Sequence, residues 1–170
     1  MANGITGFYN IAQQREFARD FQFRVVTLGP LTEDDLVYVR TASLPAKTIN
    51  NQQVPYMGLN FNVPGTVAFP GSDDWAVKFL ADEAMNLHSK LSAWINEVFS
   101  VETSSGKYGV PSETATLDLL DKSFKTIRRY NLVGVYLKLV DPVAYDIAGS
   151  GKPQELTGHI SYQFWREITA

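Results

Sequence analysis

The residues that could do chemistry are few, and their spacing argues against it. His88 and His159 have no second histidine at ligand spacing. The first stands beside an apolar helical stripe and the second alternates with core residues near the C-terminus, so both read as packing or surface residues. Three acidic clusters, Glu33-Asp34-Asp35, Asp73-Asp74 and Asp82-Glu83, offer paired carboxylates. Such pairs run acid–base chemistry only when their surroundings split their pKa values, and each of these falls at an expected turn or helix start, where solvated carboxylates and caps belong. No stretch supplies the alternating oxygen ligands, central glycine and closing glutamate of a calcium loop. Gly149-Ser150-Gly151-Lys152 fails as a phosphate loop because Pro153 stands where a hydroxyl must hold magnesium. There is no G-x-S-x-G elbow and no G-x-G-x-x-G after a strand. No catalytic, metal or cofactor-binding residue is assigned, and no cofactor or enzyme activity is expected.

Lys122, Lys125, Arg128 and Arg129 form the basic cluster. On a strand Arg128 shares a face with Phe124 and Thr126 while Lys125 and Arg129 take the other, the pattern of a solvated or salt-bridged strand. A nucleic-acid groove would gather basic and aromatic residues on one face. The 170 residues carry a formal net charge of -3, without the basic excess that phosphate binding draws on. With no cysteine there is neither a disulfide framework nor a thiolate metal site. The N-terminus lacks the basic start and apolar run of a signal peptide, and no stretch approaches the ~20 apolar residues of a membrane helix. A soluble protein made in the cytoplasm, with no membrane insertion, is the expectation.

The elements that position these residues are mostly strands. Residues 8–19 suit a short helix or an arm. From Asp20 the period is two, with Phe21, Phe23 and Val25 against Gln22 and Arg24. Gly29-Pro30 ends that strand, residues 32–35 form an exposed acidic turn, and residues 36–41 alternate again. Residues 46–56 and 59–63, joined at Met57-Gly58, read as a long hairpin in which Pro55 needs an edge or a bend. Strands follow at 66–69 and 74–80, with Trp75, Val77 and Phe79 on one face. A helix is expected over 83–99, capped by Asp82, because Leu87, Leu91, Trp94, Ile95 and Val98 make one apolar stripe. Trp75, Phe79, Leu87, Leu91, Trp94 and Ile95 are the expected core anchors. After a surface loop at 100–113 come strands at 114–120, 124–130 and 132–140, a second loop at 141–155, and a last strand at 158–166. The whole of 1–170 reads as one mainly β domain: a two-sheet β-sandwich or partly open β-barrel with one packed α-helix, a protruding hairpin over 46–63 and an N-terminal arm over 1–19.

The least ordinary feature is an absence of charge. Between Arg40 and Asp73 the one charged residue is Lys47, while Thr48, Asn50, Asn51, Gln52, Gln53, Asn60 and Asn62 supply neutral polar groups. Natural edge strands carry charges that prevent pairing between molecules. A buried strand would be apolar rather than amide-rich. A hairpin that pairs with other copies of the chain accounts for both facts.

Phe17-Ala18-Arg19 leading into Phe21-Gln22-Phe23-Arg24-Val25, then Thr41-Ala42-Ser43-Leu44-Pro45 before the hairpin, resemble the tail tube proteins of T-even-like contractile bacteriophages. So do Asp73-Asp74-Trp75, Asp82-Glu83-Ala84 and the closing Phe164-Trp165-Arg166-Glu167. The resemblance implies a homohexameric ring of sandwich domains, one sheet of each joining an inner β-barrel, with rings stacked into a tube inside a contractile sheath for genome ejection. It implies as partners further copies of the chain, the sheath, the baseplate and tail terminator proteins, the tape measure protein and the passing DNA. It implies a place in the virion's tail tube, assembled in the host cytoplasm. On this resemblance the hairpin residues Lys47, Thr48, Asn50, Asn51, Gln52, Gln53, Asn60 and Asn62 are ring–ring and lumen contacts. A conduit has to release DNA, so neutral or acidic side chains are expected inside, with Lys122, Lys125, Arg128 and Arg129 in subunit contacts or outside. Two alternatives carry other expectations: the tube of a type VI secretion or tailocin-like device would pass a protein, and a small-ligand β-barrel would be a monomer with a closed apolar pocket.

Overall fold

Apolar–polar alternation becomes sheet over most of the chain. In a computed structural model, which describes residues 4–169, helix α1 (Ile5–Gln14) precedes strand β1 (Phe23–Leu28), the single turn α2 (Glu33–Leu36) and β2 (Val39–Thr41). Then come β3 (Thr48–Tyr56), β4 (Leu59–Ala68), β5 (Trp75–Leu80), α3 (Asn86–Val98), and the short β6 (Phe99–Ser100) and β7 (Ser105–Gly106). The chain closes with β8 (Thr114–Leu120), β9 (Thr126–Val133), β10 (Tyr136–Val140), β11 (Glu155–Ser161) and β12 (Phe164–Ile168). Two four-stranded antiparallel sheets, ordered β1-β8-β9-β12 and β10-β11-β5-β2, enclose one core; among the described residues β3 pairs only with β4, and β6 only with β7. The fold is the expected mainly β sandwich with a packed helix and a long hairpin.

The core follows the sequence pattern closely. Trp75, Val77 and Phe79 are buried from β5, with Val25 and Leu28 from β1, Ala115 and Leu117 from β8, and Leu156 and Ile160 from β11. Leu87, Leu91 and Trp94 are buried along α3, and Ile95 packs half-buried beside them. The helix begins later than the sequence suggests because Met85 adopts a left-handed conformation (φ 54°). Asp82 still serves the helix start, accepting the backbone N–H groups of Asn86 (2.9 Å) and Leu87 (3.1 Å). Packed along β10, α3 also reaches the other sheet's connections: a Cβ on Gly29 (φ +52°) would lie 2.4 Å from the Trp94 ring. Glycine is required there both by the positive φ and by the indole.

Several boundaries depart from the sequence pattern, each for a local reason. The acidic turn at 32–35 is a capped helical turn, and the strand expected over 36–41 shortens to β2. The strand expected at 66–69 is the end of β4. The strands expected at 124–130 and 132–140 divide instead at Gly134 (φ +70°), and Phe124, at φ +57°, belongs to the preceding turn. The last strand splits: at Tyr162–Gln163 the chain leaves one sheet for the other, the Tyr162 N–H donating to Ser72 O (2.8 Å) and the Gln163 N–H to Val133 O (2.9 Å). Phe164 therefore drops out of the buried alternation and is exposed. In the arm, α1 buries no residue; residues 1–3 lie outside the described part.

Candidate assembly surface

The β3-β4 hairpin is the surface that the sequence singles out, and tryptophan side chains hold its root. The Trp75 indole N–H donates to Ser43 O (2.9 Å) and the Trp165 indole N–H to Ala46 O (2.8 Å), fixing the segment that leads into β3. On the return, Phe69 meets Trp165 edge to face, ring centroids 6.5 Å apart. Ser72 O then accepts from the Ser161 hydroxyl (3.1 Å) as well as from the Tyr162 N–H. The tip is Met57 (φ 49°) and Gly58 (φ 81°), two left-handed residues between the paired Tyr56 and Leu59. That is the turn whose twist matches a two-stranded ribbon. Among the described residues no other strand pairs with either one, so Pro55 removes no needed donor.

Register sorts the hairpin into two faces. Directly opposed pairs share a face, so Gln52 with Val63, Val54 with Phe61, and Tyr56 with Leu59 make one side. Gln53 with Asn62, Pro55 with Asn60, and Asn51 with Pro64 make the other. One face is thus mostly apolar and the other mostly amide, and every residue of both strands except Ala68 is exposed. Of the eight residues expected to make contacts, Asn51, Gln53, Asn60 and Asn62 come together on the amide face and Gln52 sits on the apolar one. Asn50 lies at a bulge and donates weakly to the Thr66 hydroxyl (3.4 Å), Thr48 pairs with Ala68 at the root, and Lys47 precedes the strand. The apolar stripe of Val54, Tyr56, Leu59, Phe61 and Val63 was present in the sequence as period-two alternation but was masked by the amides interleaved with it.

Several of the charged groups are tied up within the chain. Asp35, expected in an exposed turn, is buried and takes Lys90 Nζ at 2.7 and 2.8 Å along with the Thr32 N–H and hydroxyl. Burial alone would push its carboxyl up; Lys90 and Thr32 outweigh that and hold it below the usual carboxylate range. Asp118 is fully buried and is gripped two-pronged by Arg129 (both 2.7 Å), with the Thr126 hydroxyl at 2.9 Å and Arg24 at 3.4 Å. Its burial likewise works against ionisation, and Arg129 and Thr126 override it and lower the pKa. A register shift between Leu119 and Leu120, where Thr126 and Arg128 are the partners, puts Thr126 on the same side as Arg129, contrary to simple alternation. Arg128 pairs with Glu167 (2.6 Å) and Lys122 with Glu16 (3.0 Å). The expected salt-bridged strand is present in these pairs; among the described residues Lys125 makes no ion pair.

His159 lies between two carboxylates, Nδ1 2.6 Å from Asp74 and Nε2 3.2 Å from Asp141. Asp74 raises its pKa, burial opposes, and Asp141 adds to the rise. The protonated ring donates to both and staples β11 to the start of β5 and to the chain after β10. His88 is half-buried on α3. Among the described residues no group of His, Cys, Asp and Glu has the geometry of a metal site, and no helix is long and apolar enough to cross a membrane.

No family pattern and no curated protein matches the sequence. Solved structures do match in fold. A chain in the cryo-EM structure of the anti-feeding prophage cap, which terminates that particle's tube, superposes with TM-score 0.67 at 14% identity, over 92% of this chain and 93% of its own. A chain in the baseplate of the same particle gives TM-score 0.64 at 13% identity, over 91% and 97%. A chain in the sheath–tube complex of an extracellular contractile injection system gives 0.61 at 12%, over 95% and 97%. At such identities the likeness is one of fold.

Proposed function

We propose that this chain is a non-catalytic structural subunit of a tube in a contractile injection machine. Copies close into a ring, rings stack through the β3-β4 hairpins, and the stack is a conduit. The observation that carries this is the hairpin itself. An isolated two-stranded ribbon is marginally stable in water, yet this one extends nine and ten residues per strand with an apolar face exposed and almost no charge to protect its edges. A neighbouring copy covering the apolar face resolves the conflict and leaves the amide face of Asn51, Gln53, Asn60 and Asn62 toward the bore, where neutral groups let cargo pass. The fold likeness to chains of contractile particles supports the same conclusion.

More finely, the resemblance in sequence favours the tail tube of a contractile-tailed phage, built of hexamers in the virion. Its partners would then be the sheath, baseplate, terminator and tape measure proteins, and its cargo DNA. The likeness to chains of extracellular injection particles favours a second reading, in which the bore carries a protein. The test of the tube role is Phe61→Asp. On the exposed apolar face it should leave the thermal midpoint of the dispersed subunit unchanged and abolish stacking in electron micrographs. Unimpaired tubes from that variant would refute the hairpin as the ring–ring contact.

A further inference from the structure

Resting on the tube reading above for its consequence, we infer that His159 is a proton-operated latch on the root of the β3-β4 hairpin, and that its proton sets how readily copies stack. Among the described residues neither hairpin strand pairs with the sandwich, so the hairpin's direction is set by the two legs on which it stands. The outgoing leg is held by the indoles of Trp75 and Trp165, on Ser43 O and Ala46 O. The returning leg is held at three successive residues. Ser72 O accepts from the Tyr162 N–H and the Ser161 hydroxyl, Asp73 O accepts from Lys138 Nζ (3.2 Å), and the Asp74 carboxylate meets His159 Nδ1 (2.6 Å). The first two fastenings end on backbone carbonyls, which do not titrate. The third ends on a ring that does.

The chemistry of that ring gives the fastening two states. An imidazolium has two N–H donors and satisfies Asp74 and Asp141 together. A neutral imidazole has one donor, and its other nitrogen turns a lone pair toward a carboxylate that can only accept. One of the two carboxylates must then let go. His159 stands on the face of its sheet turned away from the buried Leu156 and Ile160, opposite Ala76 of β5 and Leu139 of β10. The other charged groups around it are Lys78 on β5, Lys138 on β10, Glu155 on β11 and Asp73 beside Asp74. The two lysines oppose the proton and the two carboxylates favour it, while Asp74 and Asp141 are the groups in contact. With Asp74 the larger cause, the folded pKa lies above the ordinary 6.5. The latch is therefore closed below that ordinary value and opens as the pH rises through the folded one. A hairpin held in one direction loses less freedom on meeting a second copy than one that swings, so a closed latch favours stacking.

The chain has no cysteine, so a nitroxide on Asn60→Cys is the sole label and reports motion near the exposed hairpin tip. In the dispersed subunit its spectrum should be slow at pH 6 and gain a faster component at pH 9. For the unlabelled chain, the concentration at which tubes appear in micrographs should rise several-fold over the same range. His159→Gln should give the faster motion and the higher concentration at both pH values. Asp141→Asn separates the latch from a general effect of pH. The introduced amide can donate to the neutral ring, which then keeps Asp74, so this variant should hold the slow spectrum and the low concentration up to pH 9. His88→Gln, which removes the other histidine, should leave both changes in place, and their loss there would assign them to α3 instead. A spectrum that does not change between pH 6 and pH 9, or a change that survives His159→Gln, would overturn the latch. A latch that opens in the spectrum while tubes form equally at both pH values would overturn its hold on stacking and leave the tube reading intact. Absence of tubes at both pH values would overturn the tube reading and the stacking consequence with it, the spectrum of the dispersed subunit still deciding the latch.

Discussion

Replacing Trp94 with alanine tests whether α3 is a wall of the core or an accessory. Trp94 is 3% exposed, packs with Leu87 and Leu91, and abuts Gly29. A buried indole removes about 150–250 Å² from water, which at ~25 cal/mol per Å² is about 4–6 kcal/mol. This is an upper figure, because the unfolded chain already buries part of that area. Tryptophan-to-alanine substitutions in cores cost about 3–5 kcal/mol, and the rigid sandwich around α3 leaves little room for collapse. Against a usual total of about 5–15 kcal/mol that is severe. Guanidinium unfolding of the dispersed subunit should show the midpoint falling with m unchanged, and thermal unfolding should fall by about 10 °C. Gly29→Ala should be strongly destabilising alone but cost only about 1–2 kcal/mol in the Trp94→Ala background, where the left-handed φ remains and the steric conflict is gone. A loss below about 1 kcal/mol for Trp94→Ala would refute the packing account of α3.

Asp118→Asn should destabilise by about 2–3 kcal/mol, less than a fully buried pair because 37% of the Arg129 side chain is exposed; equal midpoints in denaturant would show the network to be dispensable. In the native chain the contribution of Asp118, whose folded pKa is lowered, should be present above its ordinary value of 3.8 and lost as the pH falls through the lower folded value. For His159 the sign is opposite. Its folded pKa is raised, so its staple contributes fully below the ordinary value of 6.5 and is lost as the pH rises through the folded value. Stability measured from pH 6 to 9 should decline accordingly, and His159→Gln should remove that part of the slope; an unchanged slope would count against the staple.

What was legible in the sequence was whatever periodicity alone decides. Trp75, Val77 and Phe79 alternate into the core, and the stripe from Leu87 to Ile95 faces it, because burial of one face is enough to fix a strand or helix. The charge gap around the hairpin was legible for the same reason, as a departure from what edges require. Features set by contacts between distant segments were hidden. Asp35 looked solvated because Lys90, its partner, is 55 residues away. The irregularity near Thr126 and the crossing at Tyr162–Gln163 break a two-residue period that sequence reading extends by default. The two faces of the hairpin needed its register, and a composition rich in asparagine and glutamine concealed the apolar one.

The exposed hairpin is proposed to be covered by other copies of the chain. Electron micrographs of the purified protein over a concentration series, with sedimentation on the same samples, test this directly. Hollow rings that stack into tubes as concentration rises are the expected result. Dispersed 19.0 kDa monomers at every concentration would contradict it.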